Sequence, residues 1–251
     1  MPHTLLSDLL DLGVRPSGVL LVHASLKALG PGAGEPSAVI AALQEAVGTE
    51  GCLLMPALSY ASVTPAAPVF DVRCTPSCVG AIPEAFRVTS GVQRSLHPTH
   101  SVCAAGPRAV ELLAEHLFDT TPCGPGSPFR RLPLVRGQIL MLGCGLRPNT
   151  SMHAVEELVV PPYLFGDPLR YTLVAEDGSR LQQTYTTHGF VGWTQRYDRI
   201  ADLLGAPDLR TGAVLEARCH LLEASRLFEC ARDILVRDPL AFVEHQPLST
   251  G

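Results

Sequence analysis

The chain has 251 residues, of which 46% are hydrophobic and 17% charged, and its formal net charge is −5. That is enough apolar chain for one sizeable core, and it excludes a disordered polypeptide. With no basic excess, nucleic acid and anionic membrane are poor partners, while a mildly acidic surface suits a cationic small molecule. Residues Met1 to Arg15 lack the basic, apolar and small-residue pattern of a signal peptide, and no apolar run reaches about 18 residues. The expectation is a cytoplasmic protein without a membrane span. Eight cysteines accompany this reading, and free, mostly buried thiols fit it better than disulfides.

In chain order, residues His3 to Leu12 have apolar spacing that predicts a short helix. The run from Gly18 to His23 predicts a buried strand, residues Ser37 to Val47 a helix capped by Ser37, and Gly51 to Pro56 a second buried strand. Strand, helix and strand at such short spacing form a βαβ unit, hence an α/β fold with parallel strands. Residues Ser59 to Ser77 are rich in Pro, Ala and Thr and predict one long loop of functional character. Then follow a helix at Val79 to Thr89, a strand at Ser101 to Gly106, a helix at Ala109 to Phe118 and a Gly/Pro-rich loop at Thr121 to Pro128. The run Gln138 to Gly143 is the clearest buried strand, and a helix is predicted from Thr150 to Val159. Beyond Pro161 and Pro162, two extended runs flank Glu176-Asp177-Gly178-Ser179 and predict a β-hairpin. The stretch Leu215 to Val236 reads as one amphipathic helix, with Ala217, Leu221, Ala224, Phe228, Ala231 and Leu235 as its apolar stripe. The expected whole is one domain over 1–251: a mixed, partly parallel sheet flanked by helices, its core at 18–160, with a hairpin and a long helix at 161–251.

Chemistry concentrates at Asn149 to Glu157, which follows the best strand through a loop. Loops past the carboxyl ends of parallel strands are where α/β sheets place their sites. On a helix His153 and Glu156 share a face, and a carboxylate beside an imidazole fixes its tautomer and leaves the other nitrogen free to take a proton. An ordinary surface pair has the same spacing. A second cluster, Arg94 to Ser101, holds His97 and His100 around Pro98; metal ligands, ligand contacts and capping groups all fit it. The loop after the first strand, His23 to Gly30, offers backbone amides and the Ser25 hydroxyl to a polar ligand. No GxGxxG or P-loop pattern occurs. The segment Thr121 to Arg131 offers a rigid turn, an aromatic ring and two cations, suited to a phosphorylated ligand or to solvent.

Six segments in order resemble the aminoglycoside 3-N-acetyltransferase family: LVHASLKALG at 21–30, Thr75 to Gly80, RSLHPTHS at 94–101, GPGSPFRRL at 124–132, ILMLGCG at 139–145 and NTSMHAVEE at 149–157. The tail RYDRI at 196–200 is similar too. The resemblance implies acetyl transfer from acetyl-CoA to an amine in a ternary complex, with no metal and with a homodimer as an option. It implies His153 as base and Glu156 as its orienting carboxylate, and Thr150 is added here as an oxyanion donor. It implies Ser25, Leu26, Ser101, Ser127, Phe129 and His97 as contacts to the acyl donor, and Glu157, Asp71 and His100 as contacts to the acceptor. Two rival readings remain at this point: a metal-dependent hydrolase using His97, His100, His153 and Glu156, and a non-catalytic relative that binds CoA or an amine. A thiol nucleophile at Cys144 or Cys103 would need activation that their apolar surroundings do not offer.

Overall fold

The computed structural model describes residues 4–246. A buried-strand pattern at its centre produces a seven-stranded sheet. In chain order the elements are α1 (Leu5–Leu12), β1 (Val19–Ala24), α2 (Pro36–Val47), β2 (Cys52–Pro56), β3 (Val69–Asp71), α3 (Ala81–Arg87), β4 (Gln93–Arg94), β5 (Val102–Ala105), α4 (Ala109–Leu113), α5 (Pro128–Arg131), β6 (Gln138–Leu142) and α6 (Ser151–Val159). They continue with β7 (Phe165–Val174), β8 (Arg180–His188), β9 (Trp193–Gln195), β10 (Leu209–Val214), β11 (Ala217–Glu223), α7 (Ala224–Arg237) and β12 (Val243–His245).

The main sheet runs β10-β11-β6-β1-β2-β5-β4. Its centre is parallel, with β1 paired to both β2 and β6, and the outer pairings are antiparallel. Side chains alternate across a strand, so the sheet has two dry faces. Leu21, Leu54, Ile139 and Met141 point to a face covered by α4 to α7, while Leu20, Val22, Leu53 and Leu140 point to one covered by α1 to α3. Strands buried on both sides read as continuous apolar runs, which is why the sequence exposes them so plainly. A second, three-stranded sheet, β3-β7-β8, packs around Phe70, Tyr171 and Tyr185. The hairpin between β7 and β8 has Val174 opposite Arg180 and closes over Glu176-Asp177-Gly178-Ser179.

Several expectations need correction. The stretch from Leu215 is not one helix: Ala217 to Glu223 form β11, antiparallel to β6 with Leu221 opposite Leu140, and only Ala224 onward is helical. A short run such as Ala217-Arg218-Cys219-His220-Leu221 satisfies both a two-residue and a helical period, and the open edge of β6 decides for the strand. The C-terminal third thus extends the main sheet. The loop from Ser59 contains the short strand β3, parallel to β7. Helix α2 starts at Pro36 with Glu35 at its cap position, earlier than the Ser37 cap expected. Helix α1 is capped by Thr4, whose side chain accepts from the Ser7 amide; His3, the expected start, lies outside the described residues. The helix from Ala109 tightens into a 3-10 turn from Ala114 to Phe118.

Candidate active site

The carboxyl ends of the parallel strands open onto a cavity of 560 Å³, within the range of small-molecule sites. His23 and Ala24 end β1, Pro56 ends β2, and Cys144 follows β6; all four line it. The opposite wall comes from the hairpin sheet, through Tyr171, Thr187 and His188, and from Phe190 just beyond it. His153 and Thr150 reach the cavity from the start of α6.

His153 Nδ1 lies 3.1 Å from Glu156 Oε2 and 2.8 Å from the Tyr197 hydroxyl. Glu156 is fully buried and would be costly there without partners. It has three. The Tyr163 hydroxyl donates to Oε1 at 2.8 Å, the Tyr197 hydroxyl donates to Oε2 at 2.8 Å, and the His153 ring shares Oε2. With both tyrosine protons directed at the carboxylate, the tautomer that completes the network carries its proton on Nδ1. The Nε2 lone pair is then left on the cavity side. Burial first, and the Glu156 charge second, hold both tyrosine hydroxyls well above the ordinary tyrosine range, so they remain donors.

Around His153 stand imidazoles kept neutral by burial. His23 is pushed down to about 3, first by desolvation and then by His153. His100 and His188 lie well below their ordinary value for the same first reason, with neighbouring histidines adding to it. His188 Nε2 is 3.0 Å from Glu157 Oε1, and Glu157 also accepts from the Thr121 hydroxyl and the Cys123 amide. Thr150 sits at the cap position of α6 without a side-chain capping bond, so its hydroxyl is available to a ligand. Cys144 lines the cavity, but burial pushes its thiol up to about 12, as it does for Cys103, so neither is an activated nucleophile.

The sequence profile of the aminoglycoside 3-N-acetyltransferase family matches residues 21–236. The chain belongs to the aminoglycoside 3-N-acetyltransferase family. It is 34% identical over 246 residues to aminoglycoside N(3)-acetyltransferase IV from Salmonella sp, covering 97% of this chain and 90% of that protein. Among solved structures it is similar to a histidine-to-alanine mutant of aminoglycoside acetyltransferase AAC(3)-IVa in complex with a gentamicin, with a TM-score of 0.78, 30% identity and coverage of 97% and 90% of the two chains. It is also similar to AAC-IIIb in a binary complex with CoASH, with a TM-score of 0.80, 25% identity and 97% of each chain covered.

Of the residues singled out in the sequence of this acetyltransferase family member, His153, Thr150 and His100 meet at the cavity, with Glu156 directly behind His153. Ser25 and Leu26 are half-buried beside the cavity, following Ala24. The others do not line the cavity. Phe129 is sealed in the core under α6 and α7, and Ser127 beside it is equally enclosed. Ser101 accepts from Arg94 Nε and donates to the Ala57 carbonyl. His97 is fully buried, accepts the Thr99 and His100 amides at Nδ1, and ties its loop to the Thr121 carbonyl through Nε2. None of these four side chains lines the cavity; His97 shapes the loop that presents His100. Asp71 accepts the Arg73 and Cys74 amides in a turn away from the cavity. Glu157 reaches the cavity only through His188. The hydrolase set falls apart for the same reason, since His97 and Glu156 spend their polar atoms elsewhere.

Sequence reasoning misses Tyr163, Tyr197, His23 and His188. Tyr197 lies in the similar RYDRI segment and His23 in LVHASL, yet neither pattern assigns its residue a role. His188 ends β8, and nothing in its local pattern distinguishes it from any other polar strand residue.

The buried imidazoles make stability pH-dependent. His23, His97, His100, His116 and His188 are all depressed from 6.5, His116 to about 4, with desolvation as the main cause in each. Below 6.5 the unfolded chain binds protons that the folded chain refuses, so acidification favours unfolding. Asp119, raised by burial to about 6, works in the opposite direction, as does Glu157, but two groups do not offset five. The melting temperature is expected to fall by on the order of 10 °C between about pH 7 and about pH 5. A flat or rising profile in thermal melts would contradict neutral buried histidines.

Proposed function

We propose that this protein transfers the acetyl group of acetyl-CoA to an amine of an aminoglycoside, with His153 as general base. The reading is carried by one arrangement: an imidazole braced at Nδ1 by Glu156, with its Nε2 bordering a cavity at the sheet's carboxyl edge. The amine reaches its nucleophilic form by losing a proton to Nε2, directly or through water. Its nitrogen then attacks the thioester carbonyl carbon. The buried Glu156 charge stabilises the imidazolium that forms, and the Thr150 hydroxyl is the donor nearest to hand for the oxyanion. Attack leaves the nitrogen positively charged and acidic, and it gives up its second proton to solvent; when the carbon–sulfur bond breaks, the proton held on Nε2 passes to the departing CoA sulfur.

Acceptor contacts are assigned to His100 and His188, whose neutral rings suit sugar hydroxyls and an uncharged amine. The first-strand loop at Ser25 and Leu26 is assigned to the acyl donor. We read the chain as one catalytic unit, because β10 and β11 extend the sheet that carries His23. His153, Glu156, Tyr163 and Tyr197 come from one chain, so the homodimer option is not required by the chemistry. Among the described residues no helix is long and apolar enough to cross a membrane. The compartment this reading implies is the cytoplasm, where acetyl-CoA and free thiols coexist.

Thiol release from acetyl-CoA is expected to depend on an added aminoglycoside, with the acetylated nitrogen located by mass spectrometry and NMR. Release with simple amines alone would overturn the acceptor class. His153→Ala should lower turnover by at least about a hundredfold. Glu156→Gln keeps the shape but removes the charge, and should lower turnover by roughly tenfold or more. Tyr197→Phe removes one hydrogen bond worth about 1 kcal/mol and should cost roughly fivefold. Near-normal turnover in His153→Ala would remove that ring from the reaction.

A further inference from the structure

The cavity holds more imidazole than proton transfer needs. One ring nitrogen from each of His100, His153 and His188 lies within 4.8 Å of the other two. Ring centroids are 4.8 Å apart for His153 and His188, 5.0 Å for His100 and His188, and 6.0 Å for His100 and His153. In each ring one nitrogen is already engaged by oxygen. His153 Nδ1 meets Glu156, His188 Nε2 meets Glu157, and His100 Nδ1 lies 2.9 Å from the Thr99 hydroxyl. With those nitrogens as donors, three lone pairs remain. His188 Nδ1 is buried with no hydrogen-bond partner at all. Three neighbouring rings in these tautomers offer acceptors with no donor among them, an arrangement that suits a cation.

We propose that His100, His153 and His188 form a binding site for a divalent transition cation such as Zn2+, and that the cation inhibits acetyl transfer. Ligating histidines characteristically donate their second nitrogen to a carboxylate or other oxygen, which fixes the ring and strengthens the ligand. All three rings have that backing here. A tetrahedral zinc centre with bonds of about 2.0–2.1 Å separates its nitrogens by roughly 3.3 Å, so small side-chain rotations close the remaining gap. Charge balances as well: a doubly charged ion on three neutral imidazoles is matched by the two carboxylates behind them, Glu156 and Glu157. The fourth coordination position faces the cavity.

The inhibitory consequence rests on His153 acting as the base, since a cation on Nε2 occupies the lone pair that takes the amine's proton. The binding itself does not rest on that role. This separates the site from a hydrolytic metal centre: here the cation blocks the reaction.

The test is a titration of metal-free protein with Zn2+ by calorimetry and with Co2+ by visible absorption. It uses a Cys74→Ser/Cys78→Ser background, because both of these thiols are exposed and would bind zinc on their own. One ion per chain is expected, with the ligand-field bands of a four- or five-coordinate cobalt centre. His100→Gln and His188→Gln should each weaken binding by at least about tenfold, while the surface variant His245→Gln should leave it unchanged. Zn2+ should also suppress acetyl transfer, competitively with the amine, and a chelator should restore it. No binding in the micromolar range, binding indifferent to His100→Gln and His188→Gln, or an octahedral cobalt spectrum would overturn the site. Binding at these histidines with transfer undiminished would overturn the inhibitory role and, with it, His153 as the base.

Discussion

A carboxylate with no access to water organises this protein's chemistry. Glu156 is held by two tyrosine hydroxyls and one imidazole, and each of those partners comes from a different part of the chain. Tyr163 follows α6, Tyr197 begins a 3-10 turn after β9, and His153 lies one helical turn before Glu156 itself. A buried charge left with an empty acceptor site is expensive, so the three donors cannot be independent of one another. They fix the ring, and in the proposed reaction the ring's free nitrogen takes the acceptor's proton.

The larger fold serves this arrangement. The parallel centre β2-β1-β6 ends its strands on one side, which gives a concave edge. Helix α6 enters that edge with His153 in its first turn. The hairpin of β7 and β8 swings from the far side and delivers His188 and Thr187. Neither wall alone encloses a ligand. The same closure that builds the cavity strips water from several imidazoles, which is why the molecule keeps them neutral and why acid should loosen it.

How much of this the sequence carries depends on the range of the interaction. The central strands are legible because burial on both faces leaves an uninterrupted apolar run, as in Gln138 to Leu142. The His153–Glu156 pair is legible because it is local, three residues apart on one helix. The hairpin is legible from Asp177-Gly178. Segment β11 reads wrongly as helix because pairing with β6 and β10, not its own pattern, selects the strand. Ser127, Phe129, Ser101 and His97 lie in segments that match the family, yet matching segments do not say which side chains face inward. Tyr197 is 41 residues from the Glu156 it serves, and no periodicity links them. His188 belongs to the cavity only once the hairpin has folded over it.

The central claim is that His153 is held with its proton on Nδ1 and its Nε2 lone pair directed to the cavity. Nitrogen NMR of histidine-labelled protein at neutral pH measures that tautomer directly, with a His153→Gln sample to assign the resonance. The account predicts a protonated Nδ1 and a bare Nε2 for His153. A protonated Nε2 with a bare Nδ1 would contradict it, since Glu156 would then face a lone pair and the cavity would face a donor.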